Sequence, residues 1–265
     1  MIRQVRPEGV RMERGFSDPP TGFVSASQIA RIDTELWAAT WMFCPNCGSP
    51  QLSKYVANRP VADFYCPNCG DQFELKSQSK GFGPTLANGA YGKKMERLAS
   101  DSSPNLLLLH YDRDQRLVEN LIVVPKSFFT TSIIKARQPL KPTARRAGWV
   151  GSTILLDGIP ASGRIQIIKD GKVRSRQAVL DEWNKFRFLE QRVGEGRGWL
   201  VDVMACIEQL GKPLFTLADV YAFEGHLSQT YPDNQNVRPK IRQQLQLLRD
   251  SGYISFLGNG HYALR

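Results

Sequence analysis

The pentapeptide CPNCG occurs twice in the chain, at Cys44–Gly48 and again at Cys66–Gly70. Two Cys-x2-Cys pairs with 18 residues between them have the spacing of a zinc site. The glycine after each pair permits the tight turn through which two thiolates reach one ion. Four thiolates complete a tetrahedron and leave no position for water. We therefore predict a structural Zn²⁺ bound by Cys44, Cys47, Cys66 and Cys69.

Other interpretations of these cysteines stay open at the level of sequence. The two pairs could be redox dithiols or simply buried thiols, and an iron–sulfur cluster is a further alternative. A disulfide framework is disfavoured, because the N-terminus lacks the apolar stretch of a secretory signal and we expect a cytoplasmic protein. The fifth cysteine, Cys206, occupies an apolar helical position and is predicted to pack in a core.

The chain is strongly basic, with 35 lysines and arginines against 25 acidic residues and a net charge of +10. This balance favours a polyanionic partner, which is nucleic acid or, with less support, an acidic membrane surface. No apolar run approaches the roughly 18 residues that a membrane span requires. The proportions of hydrophobic residues, 42%, and charged residues, 23%, are those of a globular protein and argue against global disorder.

Three charged residues flank the second cysteine pair, with Asp63 before it and Glu74 and Lys76 after it. Binding of both pairs to one zinc folds the chain back on itself, which can bring Asp63 close to Glu74. Glu74 and Lys76 alternate, so in a strand both side chains point to one face. Two carboxylates and the carbonyl of Leu75 would suit Mg²⁺, and Lys76 could orient a water molecule at a phosphate. The alternative is that these are ordinary solvated charges, because Asp-x10-Glu-x-Lys also arises by chance.

Hydrophobic patterns divide the chain into four segments. Residues 1–25 are rich in arginine, proline and glycine and are predicted to form a flexible basic arm. Residues 26–192 mix helical and strand patterns, which indicates one α/β (α+β) domain. Residues 193–198, with the sequence VGEGRG, are predicted to be a linker because of their three glycines. Residues 199–265 hold three predicted helices followed by two strands, which is the order of a winged helix.

Local patterns predict several elements of the larger domain. A helix is expected to begin near Ser27, with a serine cap and with Ile29, Ile32, Leu36 and Ala39 on one face. A second helix is predicted over residues 88–99. The apolar runs at 105–111 and 117–124 are predicted to pair as a hairpin in the core.

Four stretches, NRPVADFYC, FELKS, RQPLKPTARRAGWVG and IRQQLQLLRD, together resemble the DpnI-like family of methyl-directed restriction endonucleases. The likeness extends from about Ser27 to the C-terminus. It implies a restriction-endonuclease-like PD-(D/E)xK domain, in which a mixed sheet is flanked by helices and carries a zinc-binding insertion with four cysteines, followed by a winged helix. It also implies Mg²⁺-dependent hydrolysis of double-stranded DNA at GATC that carries N6-methyladenine.

The resemblance also assigns roles to particular residues. It implies that Asp63, Glu74 and Lys76 are catalytic and that the four paired cysteines bind zinc. The same two acids, with the carbonyl of Leu75, would hold Mg²⁺. The family's PxxD pattern stands here as Pro60–Asp63. We expect a monomer that binds methylated duplex DNA and no membrane.

Two basic segments are predicted to contact DNA, the stretch KPTARRAGW and the last helix. In the first, the basic side chains would grip phosphates and the tryptophan would offer an aromatic face. In the second, polar side chains around the apolar stripe would face the major groove, with about half of them merely solvated. The predicted DNA-contacting residues are Lys141, Arg145, Arg146, Trp149, Arg238, Lys240, Arg242, Gln243 and Gln244. The alternative for Trp149 is that it simply packs against a surface loop.

Recognition of a methylated adenine requires an apolar surface, because methylation replaces an N6 hydrogen in the major groove. Burying one methyl group is worth only about 0.8 kcal/mol, or about a fourfold preference. This preference is too small for restriction, so either the pocket must pack badly when the methyl group is absent or two domains must read the same mark. Two DNA-binding domains in one chain favour the second option. Two alternative functions remain, a nuclease of this fold with another specificity and a non-catalytic zinc and winged-helix regulator. The Asp63, Glu74 and Lys76 set argues against the regulator.

Overall fold

The computed structural model describes residues 25–56 and 62–265. The predicted basic arm, except for Ser25, and the prolyl part of the PxxD pattern lie outside these residues. The chain divides into two compact units. The first comprises the described residues up to Gly83 together with Ser103–Lys126 and Arg164–Phe186, and the second comprises Pro84–Ser102, Ser127–Gly163 and Arg187–Arg265.

A seven-stranded mixed sheet forms the centre of the first unit. The strand order is β1 (Ser53–Lys54), β2 (Phe64–Tyr65), β3 (Gln72–Gln78), β5 (Asn105–Asp112), β6 (Leu117–Val124), β9 (Ile165–Lys169) and β10 (Lys172–Val173). Strands β3 and β5 run parallel, and every other neighbouring pair in this sheet is antiparallel. The β5–β6 hairpin confirms the prediction for the two apolar runs.

Helix α1 (Ala26–Trp41) begins at the predicted serine cap, because the side chain of Ser25 accepts a hydrogen bond from the backbone N–H of Gln28. Its buried face differs from the predicted one. Leu36 is 43% exposed, whereas Trp37 and Ala38 are buried in the same core as Phe64 and Phe73. The hydroxyl of Thr34 is 2.9 Å from that of Ser77, which fixes the helix against β3. Helix α3 (Arg176–Asn184) packs beside β9.

The second unit contains a three-stranded antiparallel sheet and helix α2 (Tyr91–Ala99). The sheet consists of β4 (Thr85–Ala90), β8 (Gly151–Leu155) and β7 (Ile134–Ala136), in that order. The helix predicted to begin at residue 88 begins only at Tyr91, because Asn88 pairs with Ser152 in the sheet. Pairing with β8 thus makes strand of three residues that were predicted to be helical.

The C-terminal part of the second unit has the predicted winged-helix order, with two helices where one was expected in the middle. Its helices are α4 (Gly194–Gln209), α5 (Leu217–Tyr221), α6 (Glu224–Thr230) and α7 (Val237–Asp250). Its sheet has the order β11 (Leu214–Thr216), β13 (His261–Leu264) and β12 (Ile254–Gly258). Together with the mixed sheet, these elements confirm the predicted α+β class.

The predicted linker at residues 193–198 is helical from Gly194 onward. Two of its residues are buried, and Arg197, 4% exposed, forms an ion pair of 2.7 Å with Asp101. A Cβ atom at Gly198 would lie 2.8 Å from the hydroxyl of Tyr231. This glycine therefore permits close packing and does not mark a flexible joint.

Asp202 of α4 is a buried carboxylate that links separate segments of the second unit. It is 7% exposed, and it accepts hydrogen bonds from the hydroxyls of Tyr231 at 2.7 Å and Ser132 at 2.9 Å. Burial raises the pKa of Asp202, although both hydrogen bonds oppose this rise. The ring of Tyr231 also stacks on Trp199, with centroids 4.1 Å apart. These contacts join α4 to the segment just before β7 and to the end of α6.

Replacing Asp202 with alanine is expected to destabilise the protein by about 2–4 kcal/mol, because two buried hydroxyls lose their acceptor and a cavity remains. Urea unfolding, followed by tryptophan fluorescence, measures the change. The matched control is Asp233→Ala, since Asp233 is exposed and should change stability by less than about 0.5 kcal/mol. Equal effects of the two substitutions would contradict the predicted contribution of the Asp202 hydrogen bonds to stability.

Within the described part of the chain, every helix is too short or too polar to cross a membrane.

Candidate functional site

The four paired cysteines converge on one point in the first unit. Their sulfur atoms all lie within 4.8 Å of one another. The Sγ–Sγ distance is 3.6 Å between Cys44 and Cys69 and 3.5 Å between Cys47 and Cys66. Thiolates at about 2.3 Å from a tetrahedral zinc would be separated by about 3.8 Å, so the cluster fits this ion. A disulfide, at about 2.05 Å, would require much closer sulfurs.

The two CPNCG segments form matching turns. The backbone N–H of Gly48 donates to the carbonyl of Cys44, and that of Gly70 donates to the carbonyl of Cys66, each at 2.9 Å. Both glycines have positive φ angles, 75° and 78°, which a side chain would disfavour. Burial raises the pKa of the Cys44 thiol, so ionisation of this residue requires a compensating positive charge. A zinc ion would supply that charge.

The predicted acidic site lies at the edge of β3. The Oδ2 atom of Asp63 accepts a hydrogen bond of 2.8 Å from the backbone N–H of Leu75, the residue between Glu74 and Lys76. The N–H and C=O of a strand residue point the same way, so the carbonyl of Leu75 is directed to the edge that Asp63 occupies. Nζ of Lys76 and Oε1 of Glu74 form an ion pair of 2.7 Å on one face of the strand, as the alternation predicts. The four residues predicted to form this site are therefore neighbours.

A third carboxylate, which the sequence did not indicate, lies beside this group. Glu35 on α1 is 8% exposed and binds Nε of Arg31 at 2.5 Å and Nζ of Lys54 at 2.7 Å. Burial raises the pKa of Glu35, but the hydrogen bonds from Lys54 and Arg31 outweigh it, and the pKa is lowered overall. Glu35 is therefore ionised near neutral pH.

The charge at Asp63 favours a bound cation. Burial raises the pKa of Asp63, the hydrogen bond from Leu75 lowers it, and the carboxylates of Glu35 and Glu74 raise it further. The net effect is a raised pKa, chiefly because Asp63 is buried, although the positive charge of Lys76 also opposes the rise. Carboxylate and carbonyl oxygens are the donors that Mg²⁺ prefers. The residues present therefore fit a divalent cation.

In the second unit, Trp149 lies in the loop that contains Lys141, Arg145 and Arg146, between an arginine side chain and the backbone. Lys141, Arg145 and Arg146 are exposed, and the guanidinium of Arg146 lies 4.7 Å from the ring centroid of Trp149. On another side, the ring packs so closely on the chain that a Cβ atom at Gly151 would be 2.9 Å from it. Trp149 is thus half-buried and partly covered by an arginine.

Helix α7 has a buried stripe and an exposed outward face. Ile241, Leu245 and Leu248 are buried, as predicted. Pro239 and Gln243 are exposed and lie one helical turn apart at the centre of the opposite face, and Gln246 continues it. An open concavity of about 550 Å³ adjoins this face and is lined by Asp233, Asn234, Gln235, Asn236, Pro239, Lys240 and Gln243.

Two predicted arginines lie on one flank of α7 and have partners within the protein. Arg238 forms an ion pair of 2.8 Å with Glu224 and lies over the ring of Tyr221, 5.1 Å from its centroid. Arg242 donates to the hydroxyl of the same tyrosine at 2.9 Å. Both remain exposed enough to reach a phosphate beside the helix.

Gln244 differs from the prediction, because it is buried and only 1% exposed. The helical period places it next to the stripe of Ile241, Leu245 and Leu248, so its side chain does not face solvent. Lys240 is half-buried on the flank opposite the arginines. The sequence analysis also missed the exposed Pro239 and Gln246 on the outward face.

Two family models match the chain. The model described as "DpnI: Dam-replacing family" matches residues 19–192. The model described as "DpnI_C: Dam-replacing HTH domain" matches residues 195–264. The first match contains the cysteine cluster and the acidic site, and the second contains the winged helix.

Proposed function

The chain belongs to the Dam-replacing family of DpnI and is a methylation-dependent restriction endonuclease, and we propose that it hydrolyses double-stranded DNA at GATC carrying N6-methyladenine. The observation that carries the catalytic part is the hydrogen bond from Leu75 N–H to Asp63, which joins the acid to the Glu74–Lys76 pair. We place the catalytic domain at residues 26–192 and the DNA-binding winged helix from Gly194, where α4 begins, to Arg265.

The residues of the acidic site would have different roles in catalysis. Asp63, Glu74 and the carbonyl of Leu75 would hold Mg²⁺, which when bound polarises the scissile phosphate and lowers the pKa of a water molecule. With Glu74 engaged by the ion, Lys76 would be available to orient that water or to stabilise charge on the phosphorane. Glu35 holds the cations Arg31 and Lys54 beside Asp63, where they can attract the DNA backbone.

The outward face of α7 supports recognition of the modified base. The pyrrolidine ring of Pro239 offers an apolar surface for the methyl group, and Gln243 offers an amide to a base edge. Arg238 and Arg242 on one flank and Lys240 on the other suit the two phosphate strands that border a major groove. In the loop, the exposed Lys141 and Arg145 can bind phosphates, while a methyl contact to the face of Trp149 would require Arg146 to move aside.

One experiment tests the proposal. The purified protein and Mg²⁺ are incubated with one plasmid prepared with and without adenine methylation at GATC, and the products are separated on a gel. We expect cleavage of the methylated plasmid only. Cleavage of both plasmids would indicate a nuclease of another specificity, and binding without cleavage would indicate a regulator.

A further inference from the structure

Two adjacent glutamines of α7 lie in opposite environments and are joined by a hydrogen bond. Gln243 is exposed on the outward face and lines the concavity, whereas Gln244 is buried in the apolar stripe. The Nε2 amide of Gln244 donates to the Oε1 atom of Gln243 at 3.3 Å. A donor fixed by burial thus holds the carbonyl end of the exposed glutamine.

This contact determines which end of Gln243 is available to a ligand. Since Gln244 lies toward the interior, the oxygen that accepts from it points back to the helix. The two ends of a planar amide diverge, so the Nε2 donor of Gln243 points outward. A free glutamine reads adenine with both ends, accepting from N6–H and donating to N7. With its oxygen occupied, Gln243 can make only the donation to N7.

We propose that Gln244 is a positioning residue that suppresses binding of unmethylated adenine. The inference rests on the proposed function. In a duplex, the N6 methyl group replaces the hydrogen that an amide oxygen would accept, so only unmethylated adenine gains from a free glutamine acceptor. By donating to the Oε1 atom of Gln243, Gln244 removes the extra hydrogen bond that unmethylated adenine would otherwise make. Gln243 is left to donate to N7, which the methylated and unmethylated bases share, and apolar contacts decide between them.

The buried end of Gln244 supports a role other than stability. Among the residues that the structure describes, none donates a hydrogen bond to its Oε1 atom. A buried carbonyl without a partner is unfavourable, and an apolar side chain would suit the neighbouring Ile241 and Leu245 better. The polar residue therefore has its use in the contact with Gln243.

The test replaces Gln244 with methionine, which keeps the unbranched shape and removes the amide. The affinity of the full chain for methylated and unmethylated GATC duplexes is measured by fluorescence anisotropy without Mg²⁺, so that no cleavage occurs. We expect Gln244→Met to bind the unmethylated duplex about tenfold more tightly, the gain of one base contact, and the methylated duplex with unchanged affinity. In the double variant with Gln243→Ala, this gain should disappear.

The control is Gln115→Met, the same substitution at an exposed turn of the first unit, which should leave both affinities unchanged. Thermal unfolding should give a midpoint for Gln244→Met no lower than that of the wild type. If the wild type prefers the methylated duplex but Gln244→Met leaves the preference unchanged, the inference is overturned and the proposed function stands. If the wild type shows no preference, the proposed function fails first.

Discussion

Replacing Asp63 with asparagine is expected to slow cleavage of the methylated plasmid by on the order of 10³-fold while leaving DNA affinity without Mg²⁺ nearly unchanged. Asparagine keeps an oxygen that can accept the hydrogen bond from Leu75, so the local fold should persist. It removes the negative charge that a divalent cation requires. Single-turnover cleavage, with the protein in excess over the plasmid, measures the chemical step without interference from product release.

The control for this substitution is Asp114→Asn, because Asp114 is an exposed residue of a turn in the same unit. It should cut the methylated plasmid at the wild-type rate. Binding of the Asp63→Asn variant to the same DNA, measured in parallel, separates a loss of chemistry from a loss of folding. If the variant retains wild-type cleavage, the hydrolytic site lies elsewhere in the chain.

The charged part of the site was predictable to the extent that it is local in sequence. Glu74 and Lys76 share a face because strand side chains alternate, and Asp63 reaches them because the second cysteine pair turns the chain between β2 and β3. Glu35 belongs to the same group but lies on α1, at a position that no spacing rule connects to the strand. Its burial between two cations follows from tertiary packing, which the sequence does not display.

In the fold as well, elements set by a local pattern were predictable, and elements set by tertiary contacts were not. The β5–β6 hairpin was predictable because two apolar runs and a polar turn leave few alternatives. The segment 193–198 was misread because glycine serves flexibility and close packing equally well, and only the contact of Gly198 with Tyr231 decides between them. The burial of Gln244 was missed because the pattern was interpreted by residue type and not by helical position.

The second large effect is expected for the zinc site. Cys44→Ser should lose the metal and lower the free energy of unfolding by at least about 5 kcal/mol, since structural zinc contributes about 10–16 kcal/mol of binding energy in small zinc domains. Cys44 and Cys66 are fully buried in the core that contains Phe64 and Phe73. Removal of zinc therefore exposes part of the main core as well as the two turns. Native mass spectrometry should find one zinc ion per wild-type chain, and urea unfolding measures the stability of the variant.

Loss of zinc should also abolish cleavage, because Asp63 precedes the second cysteine pair and β3 follows it, so the pair fixes both parts of the acidic site. The control is Cys206→Ser, which removes a buried thiol outside the cluster and should keep the zinc and most of the activity. An iron–sulfur cluster would instead give visible absorption and iron in the mass spectrum. A protein that is metal-free, folded and active would contradict the zinc assignment and would leave the cysteines as buried thiols.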